Sequence, residues 1–153
     1  MNGADRLIDE MIQQFLRITN KYNVLNNKPY EFGVNELLTP AEVHTIDAIG
    51  RNREANVTEL AHRLGVTKGA LSQMANKLQL RNFIVKLKDK DNEKDVFFKL
   101  TKKGKKAFDE HIKFHLDMHN DFVGLLEYIP GEQISNFKEI FNKIEFYLDH
   151  YKE

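Results

Sequence analysis

The feature that most constrains the fold is a pair of short helical segments joined by a tight turn, over residues 57–80. Two short helices that cross steeply need a small residue where their backbones approach, and Ala61 provides it. The turn needs a residue that tolerates positive φ, and Gly65 provides it. Leu71 follows where the second helix must complete the small core. This spacing predicts a helix-turn-helix, with Thr67 as the N-cap of its second helix.

The second helix of this motif has two different faces. Leu71, Ala75 and Leu78 point inward at i, i+4 and i+7. Glutamine and asparagine can bond bidentately to adenine in the major groove, while serine and lysine can reach base edges or phosphates. No acidic residue occurs from Thr67 through Lys88, which favours contact with DNA over an ordinary mixed-charge surface. The predicted contact residues of this segment are Thr67, Lys68, Gly69, Ser72, Gln73, Asn76 and Lys77.

The charge distribution supports the same prediction. The formal net charge of the chain is zero. Between Val57 and Lys106, however, 13 Lys and Arg stand against 5 Asp and Glu, which gives this segment a net charge of +8. The segments on either side are acidic. This pattern is typical of a module that faces a polyanion and is held by parts that face elsewhere.

Two strand-like runs follow the helix-turn-helix, Phe83–Lys88 and Asp95–Leu100, with a polar stretch between them. They predict an antiparallel hairpin, a wing, over about residues 83–100. A wing of this kind lies along the DNA backbone, and its basic tip enters the minor groove. The candidate contacts are Lys86, Lys88, Lys90 and Lys94.

Helical periodicity covers most of the remaining chain, at about residues 4–22 and 102–152, and Thr39-Pro40 opens a further helix. The expected order is α-α-α-α-β-β-α-α, a mainly α (α+β) chain forming a single domain over residues 1–153. The terminal helices carry more apolar surface than a small winged helix can cover. We therefore expect them to form a homodimer, which sets two recognition helices about one DNA turn apart. The last helix shows this surface as a stripe of Phe137, Ile140, Phe141, Ile144, Leu148 and Tyr151.

Three short motifs together resemble the MarR family: Leu38-Thr39-Pro40, Leu60-Ala61 with Leu64-Gly65-Val66, and Leu100-Thr101-Lys-Lys-Gly104. The resemblance covers nearly the whole chain. It implies a dimeric transcriptional regulator that binds a pseudo-palindromic operator in double-stranded DNA, usually as a repressor that a small ligand releases.

The wing departs from the family pattern. Its tip reads Asp91-Asn92-Glu93-Lys94, where the family usually has Asp-x-Arg or Asp-Arg-Arg. Lysine lacks the planar guanidinium group with which arginine forms bidentate hydrogen bonds. We therefore expect weaker or less sequence-selective contacts from the wing.

A group of histidines suggests a second, metal-responsive interpretation. His111, His115 and His119 are spaced i, i+4, i+8, and two imidazoles at i, i+4 can chelate zinc. In zinc-sensing members of the MarR family, a histidine early in the second helix joins a Glu-His-x-x-x-His on the long helix after the wing, and His44, Glu110, His111 and His115 are similar in position. A further ligand has no clear counterpart, and Glu31 or Glu36 would be a guess. The alternative is that these polar residues line a groove between the dimer arms and the winged helix.

Several other functions are not expected. The chain has no cysteine, no phosphate-binding glycine loop, and no nucleophile with a base at recognisable spacing, so we expect neither an enzyme nor a required cofactor. It has no apolar run long enough to span a membrane and no signal-peptide pattern at its start, so a cytoplasmic location is expected. A winged helix that binds proteins is the remaining alternative, and it would show no salt-dependent binding to DNA.

Overall fold

The computed structural model describes residues 3–52, 56–88 and 96–151. They fall into two units, Met1–Lys113 and Phe114–Glu153, and the prediction of a single domain stays a prediction. No described helix is long and apolar enough to cross a membrane. The elements in chain order are α1 (Gly3–Asn26), β1 (Tyr30–Glu31), β2 (Leu37–Leu38), α2 (Pro40–Arg51), α3 (Val57–Arg63), α4 (Lys68–Leu80), β3 (Ile84–Lys88), β4 (Val96–Leu100), α5 (Lys102–Leu126) and α6 (Gly131–Asp149).

The predicted class is confirmed: the described chain is mainly helical, with one antiparallel two-stranded wing of the expected position. β3 and β4 pair from Ile84↔Leu100 to Lys88↔Val96. One element was not predicted, a small hairpin in which β1 pairs with β2. Its strands are two residues long, too short to show an alternating pattern. α1 also runs further than expected, to Asn26.

Helices α2 and α3 begin at capping boxes. Thr39 caps α2 and accepts a hydrogen bond from the backbone N–H of Glu42, whose carboxylate bonds back to the Thr39 backbone N–H. Asn56 and Glu59 form the same arrangement at α3. Asn56 also bridges to Phe97 of the wing, which ties the start of α3 to β4.

The core of the first unit lies among α2, α3, α4 and the wing. The helix-turn-helix packs as predicted, with Ala61 and Leu71 buried and Gly65 at φ +65° in the turn. α5 begins close to β3, since a Cβ on Gly104 would lie 2.0 Å from the carbonyl oxygen of Phe83. Thr101 caps α5 by accepting the N–H of Gly104 at 3.0 Å. The largest fully buried side chains are Phe83, Leu38, Ile46, Ile49, Leu60, Leu71, Leu78, Ile84 and Glu42.

The long terminal helices differ from this core in exposing their apolar side chains. None of the described residues of α1 is buried, and the same holds for α6 in the second unit. α1 exposes Leu7, Ile8, Met11, Ile12 and Leu16, and α6 exposes Ile134, Phe137, Ile140, Phe141, Phe146 and Leu148.

Candidate functional site

Helix α4 presents the two faces that the sequence predicts. Thr67 caps the helix, accepting the N–H of Ala70 at 3.1 Å. Leu71, Ala75 and Leu78 are buried. The predicted contact residues of α4 are all exposed on the other side, namely Lys68, Gly69, Ser72, Gln73, Asn76 and Lys77. A row of small and polar side chains is therefore open to a ligand along this helix.

A groove of about 340 Å³ lies beside this face, between α4, the start of α3 and the wing. Lys68, Ser72 and Asn76 line it from α4, and Lys86 lines it from β3. The structure thus brings together predicted contacts from α4 and from the wing. The groove also includes Asn56, Val57, Thr58, Val96 and Phe98, which were not singled out in the sequence.

Two of the four predicted wing contacts lie among the described residues. Lys86 pairs with Phe98 in the ladder, and Lys88 pairs with Val96 at its end. The other two predicted wing contacts, Lys90 and Lys94, lie outside the described residues.

The buried carboxylate of Glu42 lies beneath the exposed face of α4, and it was not predicted as part of the site. Burial would raise the pKa of Glu42, but hydrogen bonds from Lys77, Thr39 and Arg81 lower it to about 2. The Lys77 ammonium lies 2.9 Å from Glu42 Oε1, and Nη1 of Arg81 lies 2.6 Å from the same oxygen. The capping-box pattern of Thr39 and Glu42 was visible in the sequence, but the distant partners Lys77 and Arg81 were not.

A second carboxylate, Glu36, extends this ion network to the β1–β2 hairpin and to α5. Arg81 donates to Glu36 Oε2 through Nε at 2.9 Å and Nη2 at 2.7 Å. Lys103 pairs with the other oxygen of Glu36 and donates to the carbonyl of Arg81 at 3.0 Å. Hydrogen bonds from Lys103 and then Arg81 lower the pKa of Glu36. Glu36 is therefore paired with two cations, and its part in a metal site stays a guess.

Of the predicted metal ligands, His44 and His111 lie close together within the first unit. Ring nitrogens of His44 and His111 lie within 4.8 Å of each other, and the ring centroids are 5.6 Å apart. His111 is buried, and its Nδ1 lies 3.5 Å from Oδ1 of Asp47. Oδ2 of Asp47 accepts a hydrogen bond from Arg51, which raises the pKa of Arg51. Asp47 was not predicted as part of this site.

The other predicted metal ligands are placed differently. His115 follows His111 by one helical turn on α5 and belongs to the second unit. Glu110 packs against the turn at Gly33, where a Cβ would lie 3.2 Å from Glu110 Cγ. Glu31 accepts the N–H of Asn35 at 2.8 Å. The proximity of His44 and His111 is consistent with the metal prediction, and metal binding stays a prediction.

Comparison with protein families and curated relatives gives consistent matches. The model of the MarR family matches residues 38–96. Two relatives from Bacillus subtilis (strain 168) are similar. The uncharacterized HTH-type transcriptional regulator YhjH is 30% identical over 74% of this chain and 65% of its own length. The HTH-type transcriptional regulator PchR is 33% identical over 60% of this chain and 54% of its own length. The matched part of the chain thus spans between about half and two thirds of these relatives.

Solved structures share the fold. FabT of Streptococcus pneumoniae, solved in complex with DNA, superposes with a TM-score of 0.68 at 22% identity, over 96% of this chain and 99% of FabT. The zinc-responsive MarR family member ZitR of Lactococcus lactis superposes with a TM-score of 0.73 at 22% identity, over 91% of this chain and 99% of ZitR. At this identity the similarity establishes the winged-helix fold.

Proposed function

The chain belongs to the MarR family, and on that basis we propose that it is a sequence-specific, DNA-binding transcriptional regulator that acts as a homodimer in the cytoplasm and catalyses no reaction. The observation that carries this proposal is the exposed face of α4, which has no acidic residue and shares a groove with Lys86 of the wing. A phosphate backbone would meet only neutral and positive side chains on that helix.

Each side of the groove has its own proposed role. Gln73 and Asn76 read adenines in the major groove, and Ser72 contacts a neighbouring base edge. Gly69 lets the backbone of α4 approach the DNA, since a Cβ there would point into open space apart from Thr67 Oγ1 at 3.9 Å. The proposed phosphate contacts are Thr67, Lys68 and Lys77 on the helix, and Lys86, Lys88, Lys90 and Lys94 on the wing.

The similarity to FabT, a protein solved in complex with DNA, supports this assignment. The two chains have the same fold over nearly their whole lengths. If the DNA lies in the same way on this chain, α4 enters the major groove and the wing follows the backbone.

A homodimer is proposed from the apolar residues that α1 and α6 expose. Exposed apolar patches of this extent usually mark interaction sites. A second copy is the occupant that a pseudo-palindromic operator requires, because two-fold protein symmetry matches two half-sites.

Release of the DNA by a small ligand is the proposed mode of regulation, with repression as the default action. A groove of about 460 Å³ in the first unit has the size of a small-molecule site. It is lined by the end of α2, the wing and the start of α5, including Ile49, Leu87, Phe98 and Phe108. A ligand in this groove would contact the wing directly.

DNA binding is tested by selecting duplexes from a random-sequence library with the wild-type protein and measuring affinity by fluorescence anisotropy at several salt concentrations. Steep loss of affinity with salt is expected. Gln73→Ala and Asn76→Ala should each weaken binding by roughly 1–3 kcal/mol and relax selectivity, because each removes a bidentate base contact. Gln13→Ala on α1 is the control and should bind as wild type. Absence of salt-dependent binding would instead favour the protein-interaction alternative.

A zinc-responsive regulator is the second candidate, favoured by the histidine pair. His44 and His111 offer nitrogen ligands close together, and His115 lies at the chelating i, i+4 spacing from His111. A carboxylate beside the imidazole is common at metal sites, and Oδ1 of Asp47 lies 3.5 Å from Nδ1 of His111. The similar protein ZitR is zinc-responsive. These residues therefore fit zinc, with Glu110 the predicted carboxylate neighbour.

The zinc proposal is tested by isothermal titration of the metal-free protein with zinc. Wild type is expected to bind, and His111→Ala to lose most of the heat because the central ligand is removed. His62→Ala, an exposed histidine on α3, is the matched control and should titrate as wild type. Equal titration of wild type and His111→Ala would remove His111 as a ligand, and no heat in either would end the zinc interpretation.

A further inference from the structure

Lys77 lies on the exposed face of α4 and also has a partner inside the protein. Its ammonium nitrogen lies 2.9 Å from Oε1 of Glu42, and its side chain is 58% exposed while that of Glu42 is 1% exposed. One end of the ion pair is therefore at the surface assigned above to DNA, and the other end is in the core.

Glu42 is held firmly enough to act as a fixed anchor. Its Oε2 accepts the backbone N–H of Thr39 at 2.8 Å and the Thr39 hydroxyl at 3.0 Å. Its Oε1 accepts Nη1 of Arg81 at 2.6 Å in addition to the Lys77 ammonium. A carboxylate has about four acceptor positions, so all of them are occupied. Glu42 would keep three of these four interactions if Lys77 moved.

Lys77 retains capacity for a second anion. A lysine ammonium carries three N–H donors, and one directed to Glu42 leaves two for a ligand at the surface. The surrounding cluster does not repel an anion, because Lys77, Arg81 and Lys103 outweigh Glu36 and Glu42 by one positive charge. A phosphate at this point would meet a net positive group.

We propose that Glu42 is a positioning residue for DNA binding: it holds the ammonium of Lys77 at the surface of α4, where the two remaining N–H groups bind a phosphate of the DNA backbone. The inference rests on the proposed function and adds a buried residue that touches no DNA. Restraining a long side chain before binding removes part of the entropy cost of association. Glu42 acts through Lys77, so the two residues should be coupled in their effect on affinity.

The test is a double-mutant cycle on a duplex selected by wild type, with affinity measured against salt for Lys77→Ala, Glu42→Gln and the double variant. Lys77→Ala should lower the salt slope by about 0.9, the value for one phosphate. Glu42→Gln should weaken binding by about 2- to 12-fold, the cost of immobilising one long side chain, without changing the slope. In the Lys77→Ala background, Glu42→Gln should have no further effect. In a Lys68→Ala background, the matched control, it should keep its full effect.

An unchanged salt slope in Lys77→Ala would show that this lysine meets no phosphate and would overturn the proposal. Equal weakening by Glu42→Gln in both lysine backgrounds would also overturn it, because Glu42 would then only support the fold. Failure of the proposed function looks different, since wild type would select no duplex and show no salt dependence.

A second measurement covers the case in which Glu42→Gln does not fold. Nitrogen-15 relaxation of the lysine ammonium groups in the free wild-type protein should show Lys77 restrained relative to Lys68 on the same helix. Equal mobility of the two ammonium groups would contradict the proposal without any substitution at Glu42.

Discussion

The hydrogen bonds and ion pairs of Glu42 also make the stability of the fold sensitive to acid. The folded-state pKa of about 2 lies below the ordinary value of 4.5, so the ionised form stabilises the fold. This contribution is fully present above about pH 4.5 and is lost as the pH falls toward 2. The difference corresponds to about 3 kcal/mol. We expect urea unfolding at fixed protein concentration to show wild type losing stability over this range, and Glu42→Gln losing correspondingly less.

The control for this prediction is Glu59→Gln, because Glu59 holds the same capping-box position on α3 but is exposed. The stability of the Glu59→Gln variant should decrease as the pH is lowered, in parallel with that of wild type. If Glu42→Gln also fell in parallel, the carboxylate would not be responsible for the acid sensitivity.

Residues of the candidate site differ in how far the sequence could predict them. The orientation of Ser72, Gln73 and Asn76 follows from the period of one helix and was predicted. The pairing of Lys77 with Glu42 joins residues far apart in the chain, and nothing local signals it. Lys77 was therefore predicted as a DNA contact on an exposed face, while its buried partner was not predicted.

Among the elements, the helix-turn-helix was predictable because its requirements are local. Ala61, Gly65 and Leu71 lie within eleven residues, and each meets a steric demand of the motif itself. The strands of the wing were predicted to within one residue at each described end for the same reason.

The β1–β2 hairpin was not predictable in this way. Its two-residue strands carry no periodic signal, and one of its contacts with the rest of the fold is the ion pair of Glu36 with Arg81, 45 residues apart in sequence. The physical reason is that a long-range ion pair depends on where the folded chain places the hairpin relative to Arg81, which is known only once the fold is formed. Such contacts leave no spacing rule in the sequence.

For the whole molecule, the net charge of zero is the sum of one basic segment and two acidic segments. The segment from Val57 to Lys106 has a net charge of +8 and contains α4 and the wing. The segment after it, with most of α5 and all of α6, is acidic. Acidic helices repel the DNA backbone, so they favour approach by the basic segment alone. Under the proposed function, this division of charge leaves the basic segment to DNA and the exposed apolar side chains of α6 to a second copy.

The dimer can be tested on α6, where the rings of Phe137 and Phe141 lie 4.9 Å apart, edge to face, with Phe137 58% exposed. Replacing Phe137 by Asp removes an aromatic contact and puts a charge in the proposed interface. We expect the dimer to weaken by roughly 2–4 kcal/mol, about 30- to 1000-fold in its dissociation constant, as measured by analytical ultracentrifugation. Binding to a two-half-site duplex should fall with it, because a monomer contacts one half-site. The control is Asn136→Asp, which places the same charge one residue away and should remain dimeric. A Phe137→Asp variant that is as dimeric as wild type would exclude this face of α6 from the interface.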